Sequence, residues 1–180
     1  MPITVTPTAI PDVLIIEPKV FGDDRGWFYE SFNQNEFAEK TGVKEPFIQD
    51  NHSYSAQHIL RGLHYQMEYP QGKLVRVTQG RVLDVAVDIR KNSPTYGKWV
   101  SVELSGENHK QLWVPPGCAH GFVVLSKDAH FLYKVTNYWH AASEQRIIWN
   151  DPTLNIDWQL PEGVVPQLNE KDAAGLLWAD

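Results

Sequence analysis

His64, Tyr133, Lys73 and Asp172 are the side chains of this sequence whose types, taken together, can move protons on and off carbon. A neutral imidazole accepts a proton near neutral pH, and a carboxylate on its second ring nitrogen fixes the tautomer and stabilises the cation that forms. Asp172, in Lys171-Asp172-Ala173-Ala174, is the candidate carboxylate for His64. A phenol such as Tyr133 can return a proton from the opposite side of a substrate, which inverts the carbon. An ammonium such as Lys73, close to a ketone oxygen, stabilises the enolate left when a neighbouring C–H proton departs.

These roles require particular placements. Tyr133 alternates in phase with Phe131 and Val135, and Lys73 with Val75 and Val77, so both side chains are expected on the apolar, inward side of their strands. Taken singly, a lysine is more often a solvated charge and a buried tyrosine more often a core residue bonded to a carbonyl. Arg61 precedes His64 by three residues and would face the opposite side of a regular strand, so a bulge is predicted at Gly62. Arg25, in the turn Phe21-Gly22-Asp23-Asp24-Arg25-Gly26, could fork onto a diphosphate.

The elements that must hold these groups are strands. From Leu83 to Ile89 the odd positions are aliphatic and the even ones small or acidic, the pattern of a half-buried strand over 81–89. Similar runs cover 13–16, 27–32, 47–51, 59–66, 73–79, 98–104, 111–114, 121–125, 130–137 and 145–149. Turn signals separate them at Thr78-Gln79-Gly80, Asn92-Ser93-Pro94, Ser105-Gly106-Glu107-Asn108 and Pro115-Pro116-Gly117. One helix is predicted over 35–41, capped by Asn33 or Asn35 and stopped at Gly42, with a second short piece near 170–177. The expectation is an all-β chain, a double-sheet barrel of the jelly-roll or cupin kind (a double-stranded β-helix) with a few short helices. Pro115-Pro116-Gly117-Cys118-Ala119-His120 resembles the second cupin motif, Pro-x-Gly-x-x-His. The first motif's His-x-His and Glu metal ligands are missing, because His64 is followed by Tyr65 and Gln66, so no metal site is expected.

The 180 residues, 42% hydrophobic, fit one domain over 1–180, with 12 prolines and 12 glycines spread along the chain. A formal charge of −6 removes the general attraction to phosphate backbones, so a nucleic-acid partner is not expected. The single cysteine, Cys118, reads as an inert filler. Without a signal peptide or a long apolar run, the chain is expected in the cytoplasm, away from membranes. Seven Trp, seven Tyr and seven Phe exceed the needs of a small core, and flat rings stack on sugars and bases.

The phrases Ile59-Leu60-Arg61-Gly62-Leu63-His64-Tyr65-Gln66, Gln71-Gly72-Lys73-Leu74-Val75-Arg76, Phe131-Leu132-Tyr133-Lys134 and Lys171-Asp172-Ala173-Ala174 resemble the dTDP-4-dehydrorhamnose 3,5-epimerase family. So do Gln49-Asp50-Asn51-His52-Ser53, the run from Leu83 to Arg90, that from Trp113 to Phe122, and Trp149-Asn150-Asp151-Pro152. The resemblance runs from about Ile10 to Ala174. It implies a cofactor-independent isomerase that inverts C3 and C5 of dTDP-4-dehydro-6-deoxy-D-glucose, with His64 as base backed by Asp172, Lys73 for the enolate and Tyr133 as acid. It also implies that Phe21, Arg25, Glu30, Gln49, Asn51, Arg61, Lys73, His120 and Trp139 surround the dTDP-linked 4-keto sugar. A homodimer that exchanges N-terminal strands is implied too, with Arg25 and Glu30 serving the neighbouring subunit's site. Met67-Glu68-Tyr69-Pro70 matches no shared motif, and Trp139 stands where tyrosine is also common.

Four other readings stay open at this point. Relatives that invert only C5, or that isomerise the ketone between C3 and C4, share the scaffold. A metal-dependent cupin would use His64 and His120 as ligands, and a non-catalytic sugar-binding barrel would need none of the acid–base groups.

Overall fold

Two strands carry the architecture, and both are longer than their sequence patterns suggest. In the computed structural model, which describes residues 2–178, the strands are β1 (Ile3–Pro7), β2 (Leu14–Pro18), β3 (Phe21–Asp23), β4 (Gly26–Phe28), β5 (Gln49–Ala56), β6 (Leu60–Gln66), β7 (Lys73–Asp88), β8 (Trp99–Ser105), β9 (Gln111–Val114), β10 (Cys118–Val135) and β11 (Glu144–Arg146). Helix α1 (Gln34–Thr41) lies between β4 and β5, and the single turn α2 (Glu170–Ala173) follows β11.

The antiparallel pair β7 and β10 forms a spine. At one end of the spine, Lys73–Arg76 pairs with β9, which continues to β2 and β1, while the last eight residues of β10 pair with β5. Beyond a corner, 81–87 pairs with β8, and the first part of β10 pairs with β6, which takes β11. One sheet path thus folds into two facing halves, the double-sheet barrel expected from the pattern.

The corner has a visible cause. Val77 stands opposite Phe131 and Gln79 opposite His130, so Thr78 is an extra residue on β7, a bulge that bends the strand. Gly80, at φ 79°, follows it, and a Cβ there would lie 2.0 Å from the Asp128 carbonyl oxygen. The predicted turn at Thr78-Gln79-Gly80 is therefore a bend inside a continuous strand, because pairing to β10 resumes on both sides.

The bulge also inverts the face on which alternate residues lie. Before it, Val75 and Val77 point into the central core; after it, Val82 and Ala86 do, together with Phe122 and Phe131. The odd residues Leu83, Val85 and Val87 turn outward into a second core with Leu60, Leu63, Ala119 and Trp158. The strand over 81–89 is therefore covered on both faces instead of half-buried, and its acidic positions are the inward ones: Asp84 and Asp88 are fully buried.

Helix α1 is capped as predicted, with Asn33 Oδ1 accepting from the Asn35 and Glu36 N–H groups, worth about 1 kcal/mol. Its Phe37 packs edge-on against Trp113 and Phe47. Two expectations fail. Only 27–28 of the run 27–32 is strand, since the β3–β4 hairpin is a separate two-stranded sheet with no further strand paired to it among the described residues. The helix expected near 170–177 stops at Ala173, because Leu176 forms a parallel bridge with Ile147. A second bridge, Ile59 with Gln167, holds the C-terminal segment along β6, and this is what carries Asp172 to the barrel wall.

Candidate active site

The bulge expected in β6 is present. His64 stands opposite His120 and Arg61 opposite Phe122, so three steps on β6 match two on β10. The slip brings Arg61 and His64, which would otherwise face opposite sides, onto the same cavity. Gly62 has φ 128°, and a Cβ on it would sit 2.6 Å from Gly121 Cα and 2.8 Å from the His120 carbonyl oxygen. Only a glycine lets the two backbones approach this closely.

The cavity encloses about 440 Å³, within the range of small-molecule sites. His64, Lys73, His120 and Tyr133 open onto it, with Gln49, Asn51, Arg61 and Trp139 around them. Behind His64 lies Asp172, 1% exposed. Its Oδ1 accepts from His64 Nε2 at 2.7 Å and its Oδ2 from the Gly62 N–H at 3.2 Å. With Nε2 as the donor, Nδ1 carries the lone pair, and it makes no hydrogen bond among the described residues. The ring is thus held from behind and left free to accept a proton.

Burial alone would raise the proton affinity of Asp172, but His64, the Gly62 N–H and Arg146 outweigh it and hold the carboxyl below its usual range. Burial pushes Lys73 down to about 8, partly offset by the charges of Asp84 and Glu144. Tyr133 is pushed up, first by burial and then by the Glu144 charge, so its phenol keeps its proton at neutral pH. A second His–Asp pair lies opposite the first: His120 Nε2 meets Asp84 Oδ1 at 2.7 Å, both buried. Burial lowers His120 and raises Asp84, since desolvation penalises the charge of each. Asp84 Oδ2 is buried with no hydrogen-bond partner among the described residues, facing the field of Lys73.

Nine of the twelve residues singled out in the sequence meet here: eight line the cavity, and Asp172 stands behind His64. Three do not. Phe21 and Arg25 sit on the β3–β4 hairpin, where Arg25 pairs with Asp23, and Glu30 lines a narrow groove against α1. Among the described residues the hairpin is not paired to the main sheet, and none of these three lines the cavity. Glu144, Asp84 and Arg146 were missed. Asp84 had a signal, an acid at an aliphatic strand's alternate position, but without the bulge that position reads as outward. Cys118 is 5% exposed with its thiol pushed up to about 12 by burial, as befits a filler. Among the described residues no group of three or more His, Cys, Asp or Glu side chains is placed to hold a metal ion, and His64 and His120 are each engaged by a carboxylate. No helix among them is long and apolar enough to cross a membrane.

A cupin-type barrel with a carboxylate-backed imidazole, a desolvated lysine and a protonated phenol on one cavity has the equipment of an acid–base isomerase. The family model described as dTDP-4-dehydrorhamnose 3,5-epimerase matches residues 7–180. A protein of that name from Salmonella typhimurium is 60% identical over 171 residues, 94% of this chain and 92% of its own length. One from Pseudomonas aeruginosa is 58% identical over 175 residues, 97% and 96% of the two chains. The crystal structure of the Legionella pneumophila epimerase in complex with dTDP-4-keto-L-rhamnose superposes with a TM-score of 0.94 at 54% identity, covering 98% of this chain and 93% of that one. The chain belongs to the dTDP-4-dehydrorhamnose 3,5-epimerase family of isomerases.

Proposed function

We propose that this chain inverts C3 and C5 of dTDP-4-dehydro-6-deoxy-D-glucose, giving dTDP-4-dehydro-L-rhamnose. The observation that carries the reading is the opening of His64, Lys73 and Tyr133 onto one cavity, with Asp172 bonded behind the histidine. The substrate's C4 ketone acidifies the C–H bonds on both sides. His64 takes a proton, the electron pair moves toward the ketone oxygen, Lys73 stabilises the enolate, and Tyr133 returns a proton to the other face of the carbon. The same four groups serve both carbons in turn, using only the substrate's own ketone. Trp139, 60% exposed at the cavity edge, offers a flat ring for the base.

Incubation with the dTDP-linked ketosugar in heavy water tests this by NMR. Deuterium is expected at C3 and C5; uptake at C5 alone would assign the chain to the single-inversion relatives, and none at either would leave only a binding protein.

Lys73 gives the proposal a signed pH dependence. Its ammonium is lost as pH rises through about 8, so kcat/KM should fall there. Stability should move the other way, because between about 8 and 10.5 the unfolded chain binds the proton that the folded one has released. Activity that falls on the alkaline side while thermal stability holds or rises supports the lysine; a flat profile to pH 9.5 would count against it.

The reading extends to a homodimer in which Arg25 and Glu30 complete the neighbouring subunit's site. The hairpin supports it: Trp27 and Phe28 are 61% and 62% exposed beside Phe21, an apolar surface that a second copy would cover. Mixing inactive Arg25→Ala with inactive His64→Ala protein should restore activity, since each mixed dimer then holds one intact site. No recovery after subunit exchange would argue that each chain works alone.

A further inference from the structure

Arg146 takes no part in the steps above, yet it touches both sides of the proton-transfer machinery. In the β11–β6 ladder it stands opposite His64. Its Nε donates to Asp172 Oδ1 at 3.0 Å, the same oxygen that His64 Nε2 meets at 2.7 Å. Another arm of the guanidinium donates to Glu144 Oε2. Glu144 lines the cavity, accepts the Trp139 indole N–H at 3.3 Å on its other oxygen, and places its charge where Lys73 and Tyr133 both feel it. One cation therefore joins the carboxylate behind the base to the carboxylate beside the lysine and the phenol.

We propose that Arg146 is a positioning residue that keeps His64 neutral and ready to accept a proton, while pinning Glu144 to the cavity wall; the inference rests on the assignment of His64 as base. An unshared Asp172 carboxylate would favour the protonated imidazole and so remove the base at the pH where it must work. A second cation on the same carboxylate oxygen draws on that charge and opposes the protonation. The planar fork suits this task, because it reaches two carboxylates on different elements at once, which a lysine's single ammonium does less well. Among the described residues, the charged and titratable groups around His64 are Asp172 and Arg146 behind it, His120 across the β6–β10 ladder, and Lys73, Arg61, Tyr133 and Glu144 on the same cavity. Those facing Arg146 are Asp172, Glu144 and His64.

The test is the acid limb of kcat/KM against pH in wild type, Arg146→Gln, Arg146→Lys and Glu144→Gln, with the His64 ring followed by NMR in the same samples. In Arg146→Gln the limb should move up by about one pH unit. In Arg146→Lys, which keeps the charge, it should stay close to the wild-type position. In Glu144→Gln it should move down, since the guanidinium then acts on Asp172 and His64 undivided. A merely structural arginine would lower activity at every pH and leave the limb in place, and that result in Arg146→Gln would overturn the inference. If Arg146→Gln does not fold, a Glu144→Gln limb that is unmoved or moves up overturns it instead. A wild-type limb that does not follow the His64 ring would defeat the base assignment itself, which separates that failure from failure of the role given to Arg146.

Discussion

His64→Ala should abolish measurable deuterium exchange at C3 and C5 together, with rates falling by about 10² to 10⁴. Both positions are expected to depend on one imidazole, because of the two carboxylate-held rings on the cavity His64 is the more open, its side chain 28% exposed against 7% for His120. His64 presents an unbonded Nδ1 while Asp172 grips Nε2, whereas burial lowers the proton affinity of His120, whose Nε2 is tied to Asp84 in the same way. The loss should appear in the chemical step. The nucleotide would be held by Gln49, Asn51, Trp139 and their neighbours, which the substitution leaves in place, so affinity for dTDP should change little. Removing Asp172 instead, as Asp172→Asn, should lower activity at every pH but cost less at low pH than at high, because the ring loses the support of its tautomer and cation while staying neutral further into acid. Full exchange by His64→Ala at either carbon would transfer the base to another group, with His120 the first to examine. Loss at one carbon only would mean that the two inversions use different bases.

Several of these relations were legible in the residues. The phase of Tyr133 with Phe131 and of Lys73 with Val75 placed both side chains inward, because alternation holds within an unbroken strand segment. The Gly62 bulge followed from a conflict, two functional side chains three residues apart that must share a face. What alternation cannot supply is its own interruption. The bulge at Thr78 inverts the phase of 81–88, so Asp84, which looks like the solvent side of a half-buried strand, lies buried against His120. Nor does local pattern reveal pairings that bring distant segments together. Arg146 and Glu144 reach the site only because β11 adds to β6, and Asp172 only because the C-terminal segment bridges back to β6 and β11. Asp172 was found through its phrase, not through any periodicity. Arg25 and Glu30 mark a different limit, since their proposed place depends on a second copy of the chain.

Tyr133→Phe should separate two events that wild-type enzyme couples. Removal of the hydroxyl leaves His64, Asp172 and Lys73 as they are, so the C–H proton can still leave to the imidazole and return from it. Without a phenol to supply a proton from the opposite face, the enolate is reprotonated from the side it lost, and configuration is retained. The expected result is solvent deuterium entering the substrate pool while epimerised product falls by about 10² or more, with C5 the more affected carbon. The fold should tolerate the change: Tyr133 packs its ring against the central core, and the phenylalanine keeps that contact while shedding a hydroxyl that makes no hydrogen bond among the described residues. In the wild type, burial first and then the nearby Glu144 charge raise the phenol's hold on its proton and keep it available for delivery. Should exchange and inversion instead decline in parallel, Tyr133 would be acting on the enolate itself, alongside Lys73, and the proton delivered to the far face would have to come from elsewhere in the cavity.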